Sequence, residues 1–222
     1  MKINEIGVWS CARLSSTRCK EKMVRRFGDS TLTDIFLAKA NRLGENAFFG
    51  GHEQIFKEKC ESHGVRFVQR SAESAFVDEP AKKIYEFLCD QPYEYLLQVN
   101  ACLPFLKTET IQNFLETCRE NDKPKFAVFK KNNYYTSTSG RPLNFGEDVT
   151  TINTKNVTTV NEFAHVFYFF PKSTFVKTGW YWDWSKVDYI EIEEGLGTFD
   201  IDTEEQFQMA DALWNRFGSA VE

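Results

Sequence analysis

Short apolar runs alternate along the chain with segments in which apolar residues recur every three or four positions. The runs are typical of buried strands, and the recurring spacing is that of amphipathic helices. The predicted strands cover Ile3–Ala12, Asn46–Phe49, Val65–Val68, Tyr95–Val99, Phe126–Phe129, Phe163–Phe170 and Val187–Glu191. The predicted helices cover Leu32–Ala40 after Ser30 or Thr31 as N-cap, Glu53–His63, Asp78–Asp90, Thr108–Glu120 with Thr108 as N-cap, and Thr203–Phe217. This alternation predicts parallel βαβ units, and therefore an α/β fold with a doubly wound, mostly parallel sheet.

The alternation breaks in residues 130–162, which are rich in Asn, Thr, Ser and Tyr. Gly140, Pro142 and Gly146 are turn signals there, so the segment is predicted to be a β-hairpin or extended excursion. Such an excursion would cover the active site or pair with a second subunit, and a long surface loop is the alternative. Residues 1–222 are expected to form a single domain that contains it.

Composition narrows the classes of protein that the chain can represent. A net charge of −5 argues against nucleic acid as the main partner. The longest apolar runs are too short to span a bilayer, and no signal-peptide core precedes Arg13, so we expect a cytoplasmic protein with no membrane partner. The six cysteines form no C-x-x-C pair, which argues against a zinc site and favours reduced thiols.

A basic cluster follows the first predicted strand, in an otherwise acidic protein. Residues 13–26 contain a single acid, Glu21, and six cations: Arg13, Arg18, Lys20, Lys22, Arg25 and Arg26. Ligands bind at the carboxyl ends of strands in open α/β sheets, and Arg and Lys together with small hydroxyl residues suit a phosphate. No glycine precedes Gly28 in this loop, so it is neither a P-loop nor a dinucleotide fingerprint. A phosphate-binding loop and a merely solvated basic turn both remain open from these residues alone.

Two carboxylates near the end of the chain, Asp200 and Asp202, form a second candidate site. Side chains two apart on an extended segment point to the same side, which suits one or two Mg²⁺ ions. The alternative is that Asp202 only helps to cap the last helix, for which Thr203 and Gln206 form a capping box.

These segments resemble a known enzyme family. The loop carries Ala12-Arg13-x-x-Ser16-x-Arg18-x-x-x-Lys22, which resembles the signature of the cytidylyltransferases that activate sialic acids and 3-deoxy-manno-octulosonate. The resemblance implies a Rossmann-like nucleotide-diphospho-sugar transferase fold and a loop that wraps the triphosphate of CTP. The nucleotide-binding residues it implies here are Ala12, Arg13, Ser15, Ser16, Arg18 and Lys22. Lys20 stands where the family has proline, and Met23 where the sialate branch has asparagine.

Two further segments match the family in order along the chain. Leu97–Thr108 resembles its strand and turn, which implies that Gln98 and Asn100 bind nucleoside or acceptor hydroxyls. Asn100 replaces an aspartate that is a magnesium ligand in the deoxyulosonate branch, so the chain is more similar to the sialate branch. Thr198–Glu205 resembles the segment in which two aspartates bind the metal, which implies that Asp200 and Asp202 hold Mg²⁺.

Weaker matches concern the acceptor and the assembly. Arg70 ends a strand where the family has an arginine, and His165 lies on a strand that resembles the wall of the acceptor pocket, so both are candidate substrate contacts. A lone histidine on an aromatic-rich strand is, alternatively, a core residue. The position of residues 130–162 matches the family's dimerisation excursion, which implies a homodimer.

The implied reaction is attack of an acceptor oxygen on the α-phosphorus of CTP, with pyrophosphate leaving. Arg13 and Lys22 would offset phosphate charge, and Asp202 would hold Mg²⁺ or accept a proton. The implied acceptor is an acidic keto-sugar for surface glycan synthesis, whose carboxylate Arg70, Lys107 or Arg141 would bind. The alternatives are a phosphorylated acceptor that yields a CDP-linked product, an inactive nucleotide-binding module, and a glycosyltransferase with a paired-aspartate metal site.

Overall fold

Nine strands and seven α-helices make up the computed structural model, which describes residues 5–218. The strands are β1 (Ile6–Cys11), β2 (Arg26–Phe27), β3 (Ser30–Thr31), β4 (Ala47–Gly51), β5 (Arg66–Gln69), β6 (Tyr95–Val99), β7 (Lys125–Lys131), β8 (Val160–Pro171) and β9 (Asp188–Glu191). The helices are α1 (Leu32–Leu43), α2 (Gln54–His63), α3 (Ala72–Phe76), α4 (Ala81–Ile84), α5 (Thr108–Cys118), α6 (Lys172–Thr178) and α7 (Glu204–Phe217).

Seven strands form one sheet in the order β5-β4-β1-β6-β8-β7-β9. Only β8 runs against the others, because it pairs antiparallel with both β6 and β7 while every other pair is parallel. The carboxyl ends of β1, β4, β5 and β6 therefore meet at one edge, where ligands bind in such sheets. The predicted doubly wound, mostly parallel α/β fold is confirmed. Strands β2 and β3 form a separate small ribbon.

The two faces of the sheet bury different side chains. Val8 packs in a core that includes Leu37 of α1 and Ile111 of α5, whereas its neighbour Trp9 packs on the opposite face with Phe126 and Trp182. This split follows from the two-residue side-chain period of a strand. The second face is a layer of aromatic rings, and each ring buried there contributes about 1.5–3 kcal/mol by leaving water.

The predicted helix Asp78–Asp90 is wrong as one element. The structure has α4 and a separate 3₁₀ turn, Glu86–Leu88. The carbonyl of Ile84, which a continuous helix would use, accepts instead from the hydroxyl of Ser74 at 2.6 Å and the guanidinium of Arg70 at 3.1 Å. Side chains from outside the segment therefore divide the helix.

The other predicted elements are present, Tyr95–Val99 with the predicted bounds and the rest with shifted ends, while β2, β3, α3 and α6 were not predicted. Ile3, the predicted start of the first strand, lies outside the described residues. Thr31 caps α1 and Thr203 caps α7 with the predicted capping box. Thr108 does not cap α5, because Lys107 occupies the N-cap position and the buried Thr108 hydroxyl has no hydrogen-bond partner. No helix among residues 5–218 is long and apolar enough to cross a bilayer.

The excursion joins β7 to β8 and contains a short, irregular hairpin. The Leu143 N–H donates to the Tyr135 carbonyl at 2.9 Å, and the Thr136–Pro142 bridge follows it. The buried Asn144 side chain ties the segment together, donating to the carbonyls of Asn133 and Thr158, each at 2.8 Å. Hydrogen bonds, rather than an apolar core, therefore hold the excursion together.

Candidate active site

The loop after β1 is anchored to its neighbours by backbone groups. The Ala12 N–H donates to the Gly50 carbonyl at 3.1 Å, and the Leu14 N–H to Oε1 of Glu53 at 2.9 Å. The Ala12 carbonyl accepts from Nη1 of Arg70 at 3.2 Å. The loop therefore starts from a fixed position at the carboxyl edge of the sheet.

Arg70, a predicted substrate contact, is 2% exposed. Besides the Ala12 carbonyl, its guanidinium donates to Oγ and the carbonyl of Ser74 at 3.2 and 2.7 Å and to the Ile84 carbonyl. This pattern gives Arg70 a positioning role, since its donors hold the β1 loop against α3 and α4. A direct contact with substrate stays a prediction.

Arg13 points away from the other cations of the loop. Its Nη1 donates to the Val77 carbonyl at 3.1 Å, and its Nη2 pairs with the carboxylate of Asp78. Ser15 is exposed and Ser16 half-buried, with the Ser16 N–H donating to the Leu14 carbonyl at 2.8 Å. Contact of these three residues with nucleotide stays a prediction.

Arg18 and Lys22 both contact Asp202, although about 180 residues separate them from it in sequence. Nη2 of Arg18 lies 2.9 Å and Nζ of Lys22 lies 3.3 Å from Oδ1 of Asp202. Lys22 is 9% exposed and also donates to the Ile201 carbonyl. Burial alone would lower the pKa of Lys22, but Cys102 and the carboxylates of Asp202 and Asp200 raise it, so Lys22 stays charged. The basic loop and the paired aspartates therefore form one site.

A second ion pair lies beside this site, at the start of α7. The guanidinium of Arg25 donates to both carboxylate oxygens of Glu204, at 2.9 and 3.1 Å, and lies 3.8 Å from the centre of the Phe207 ring. Thr203 caps the helix, while the Asp202 N–H donates to Oε1 of Gln206 at 2.8 Å. The backbone of Asp202 thus takes part in the cap, but its carboxylate faces Arg18 and Lys22, so the alternative that Asp202 serves only the cap is wrong.

Asp200 lies beside the carboxyl end of β6, where Asn100 contacts it. Nδ2 of Asn100 donates to its Oδ2 at 3.0 Å and to the His165 carbonyl at 3.1 Å. Oδ1 of Asp200 is buried and has no hydrogen-bond partner among the described residues. Burial and the charge of Asp202 raise the pKa of Asp200, against the opposing effects of Lys22 and Asn100. A buried carboxylate oxygen without a donor is a fitting ligand for a cation.

Magnesium at this site would need ligands from a substrate. Among residues 5–218 no group of three or more His, Cys, Asp or Glu side chains is arranged to hold a metal. Two carboxylates, one with an unpaired oxygen, nevertheless match Mg²⁺, which is commonly bound by one or two carboxylates together with phosphate and water oxygens. Asp200 and Asp202 thus fit the ion as part of a nucleotide complex.

His165 is exposed on β8, at the edge formed by the carboxyl ends of the parallel strands. The alternative that it is a core residue is therefore wrong. Its backbone has φ of 52°, a left-handed conformation that non-glycine residues seldom adopt and that tends to occur at functional sites. Its Nδ1 lies 2.6 Å from the hydroxyl of Tyr168. His165 forms part of the wall of a cavity on the aromatic face.

That cavity, which we call the aromatic cavity, has a volume of about 590 Å³, and of its lining only His165 and Gln98 were predicted as ligand contacts. The predicted ligand residue Gln98 lines it, and its buried Oε1 accepts no hydrogen bond from residues 5–218. Half of its lining residues are Phe, Tyr or Trp: Tyr85, Phe126, Phe163, Tyr168, Trp180, Tyr181, Trp182 and Trp184. The signal was visible as the sequence Gly179-Trp180-Tyr181-Trp182-Asp183-Trp184, in which three tryptophans fall at alternate positions. The cavity shares His165 with the edge of the aspartate site, so both belong to one region.

Comparisons with known proteins concern the family and the fold of this chain. A family model described as cytidylyltransferase matches residues 11–179. The structure is similar to that of CMP:2-keto-3-deoxy-manno-octonic acid synthetase complexed with CTP, with a TM-score of 0.68 and 8% identity over 96% of this chain and 99% of that one. It is also similar to 4-diphosphocytidyl-2C-methyl-D-erythritol synthase from Anaerococcus prevotii, with a TM-score of 0.65 and 18% identity over 95% and 98% of the two chains.

A third similar structure is a cytidylyltransferase from Leptospira borgpetersenii, with a TM-score of 0.57 and 12% identity over 98% of this chain and 96% of that one. No curated protein sequence matches the chain significantly. At these identities the structural similarities establish the fold, and the family rests on the match to residues 11–179.

Proposed function

The chain belongs to the cytidylyltransferase family, and from that premise we propose that it transfers CMP from CTP to a small acceptor bound in the aromatic cavity, releasing pyrophosphate. The observation that carries this proposal is the contact of Arg18 and Lys22 with Asp202, beside the unpaired carboxylate oxygen of Asp200. Cations for phosphates and acids for a metal lie together at the edge where open α/β sheets bind ligands.

In the proposed reaction an acceptor oxygen forms a bond to the α-phosphorus, and the bond to the bridging oxygen of the β-phosphate breaks. Pyrophosphate leaves with that electron pair, so charge neutralisation is the main requirement. Arg18 and Lys22 give up part of their contact with Asp202 and bind phosphate oxygens instead. Arg13 likewise gives up its contact with Asp78 for a phosphate oxygen. When bound by Asp200 and Asp202, Mg²⁺ supplies further positive charge at the phosphates. Asp202 accepts the proton where the acceptor is a hydroxyl, and a phosphate acceptor needs no base.

The acceptor is the finer part of the proposal. The family resemblance favours an acidic keto-sugar, and a phosphorylated acceptor is the second candidate. The three cations expected to bind a sugar carboxylate are not at the aromatic cavity. Arg70 is occupied by the protein's own carbonyls, Lys107 lines a different cavity, and Arg141 lies in the excursion. This placement supports the phosphorylated acceptor, whose phosphate would lie beside Arg18 and Lys22 while its remainder fills the aromatic cavity.

The test is a screen for pyrophosphate release with CTP, UTP, ATP and GTP, with and without Mg²⁺. The acceptors are keto-acid sugars and phosphorylated alcohols. We expect magnesium-dependent release with CTP and at least one acceptor. Release of a nucleoside diphosphate would instead indicate a glycosyltransferase, and CTP binding without any release would indicate a nucleotide-binding module. A homodimer built on the excursion stays a prediction that sedimentation would test.

A further inference from the structure

Three tryptophans of one short segment present π surface to the aromatic cavity. The Trp182 ring stands at 69° to that of Trp180 and at 83° to that of Trp184, with centroids 6.1 and 5.5 Å apart. Trp182 is 5% exposed, whereas Trp180 is 39% and Trp184 51% exposed. The two outer rings are thus available to a ligand, while the central one is fixed in the core.

Rings from β8 hold this arrangement in place. Tyr168 stacks on Trp182 with an angle of 10° between ring planes, and Phe163 stacks on Trp184 at 12°. A wall that is already packed loses little side-chain freedom when a ligand binds, so its preference is set by ring chemistry and charge. Ring faces are electron-rich and attract cations.

His165 is the single side chain of the described lining that can become a cation, and the carboxylates there are acidic groups of the opposite sign. Asp78 and Glu79 are among the lining residues, and no lysine or arginine is, within the part of the chain that the structure describes. Asp78 pairs with Arg13, but Glu79 is exposed and forms no ion pair with a described residue. The unpaired Oε1 of Gln98 adds an acceptor for an N–H or O–H donor. Electron-rich rings, carboxylates and a free acceptor oxygen are together complementary to a cation and unfavourable for a carboxylate.

We propose that the acceptor carries a cationic group, a quaternary ammonium or a protonated amine, which the aromatic cavity binds through Trp180, Trp184 and Glu79. This inference rests on the proposed function for the other end of the acceptor, whose oxygen receives CMP. The acceptor would thus place a positive charge in this cavity, whereas an acidic keto-sugar would place a negative charge there. The acceptor class is then a phosphorylated amino alcohol, with its phosphate toward Asp202 and its cation among the rings.

The test compares two probes that have the same shape. Choline phosphate and 3,3-dimethylbutyl phosphate differ in a positively charged nitrogen against a neutral carbon. Binding is measured by calorimetry with Mg²⁺ and α,β-methylene-CTP, which cannot be turned over. We expect choline phosphate to bind about tenfold more tightly, the scale of one partly desolvated cation–π contact. Ethanolamine phosphate in a third arm distinguishes an amine from a quaternary ammonium as the preferred cation.

Matched variants assign the preference to the cavity. Trp184→Leu should remove most of the difference between the probes, whereas Trp184→Phe, which keeps a ring, should retain it. Glu79→Gln should weaken choline phosphate alone, while Glu86→Gln, an exposed acid outside the lining, should change nothing. Because Trp184 and Glu79 are exposed, these variants should fold normally.

The outcomes separate this inference from the proposed function. Equal binding of the two probes, or tighter binding of a keto-acid sugar, would overturn the cationic acceptor even if pyrophosphate is released. Preferential binding of choline phosphate with no pyrophosphate release from any acceptor would overturn the transferase proposal and leave the cation preference of the cavity in place.

Discussion

Replacing Asp202 by Asn should abolish most turnover while leaving the fold nearly as stable. The pair of Asp202 with Arg18 lies near the surface, since the two side chains are 36% and 67% exposed, whereas the side chain of Lys22 is 11% exposed. Exposed pairs of this kind contribute about 0.2–1 kcal/mol each. Asparagine keeps the shape and one acceptor oxygen, and Lys22 still donates to the Ile201 carbonyl. The free energy of unfolding should therefore fall by about 2 kcal/mol or less, because two ion pairs are weakened.

The effect on catalysis should be much larger. A metal ion that neutralises phosphate charge contributes several kcal/mol to the transition state, and 1.36 kcal/mol corresponds to a tenfold change in rate. Loss of one of two carboxylate ligands should therefore lower kcat by about three orders of magnitude and raise the Mg²⁺ concentration that gives half-maximal rate. Pyrophosphate release during a Mg²⁺ titration measures both quantities, and urea unfolding measures stability.

Glu204→Gln is the matched control. Glu204 also pairs with an arginine of the basic loop, Arg25, but it stands on α7 outside the aspartate pair. We expect it to lose its ion pair and keep near-wild-type turnover. Near-wild-type activity of Asp202→Asn would refute the metal assignment. An equal loss in both variants would show that the loop needs its ion pairs, not that Asp202 binds a metal.

Two further predictions concern stability. Burial beside Arg42 lowers the pKa of Lys39 to about 7, so the unfolded chain binds the extra proton above that pH and stability rises with pH. Relative to Lys39→Met, wild type should gain about 2 kcal/mol between pH 7 and pH 9, measured by urea unfolding, and parallel curves would contradict the burial of a neutral lysine. Gly50→Ala should destabilise by about 1–3 kcal/mol, because the new Cβ would lie 2.7 Å from the Phe87 ring. Gly195→Ala, with open space around it, should leave the stability unchanged. Thermal melts of both variants measure this difference, and equal effects would refute the steric argument.

Sequence patterns predicted the elements and the two halves of the site because both depend on short-range spacing. The period of apolar residues identifies strands and helices, and the Arg13–Lys22 and Asp200–Asp202 motifs are each contiguous. The family resemblance implied that the two motifs serve one site, and in the structure Arg18 and Lys22 both contact Asp202.

Long-range contacts account for what the patterns missed. The division of the predicted helix Asp78–Asp90 depends on Arg70 and Ser74, which bind a carbonyl that local periodicity assigns to the helix. The aromatic cavity depends on β8 lying next to both β6 and β7, which brings Gln98 beside the Trp180–Trp184 segment. A tryptophan-rich segment is typical of a core as well as of a site, so only the fold shows which of its rings stay open.

The excursion between β7 and β8 has a consequence for how such enzymes can diverge. Its two ends enter adjacent, antiparallel strands, so the sheet closes whatever the length of chain between them. Doubling the length of a flexible loop raises the free-energy cost of closing it by only about 0.6 kcal/mol, so insertions here would scarcely affect the stability of the sheet. Its internal order is concentrated in Asn144, which bonds to residues on both sides. The excursion is therefore a module that evolution can lengthen, shorten or replace without redesigning the nucleotide site.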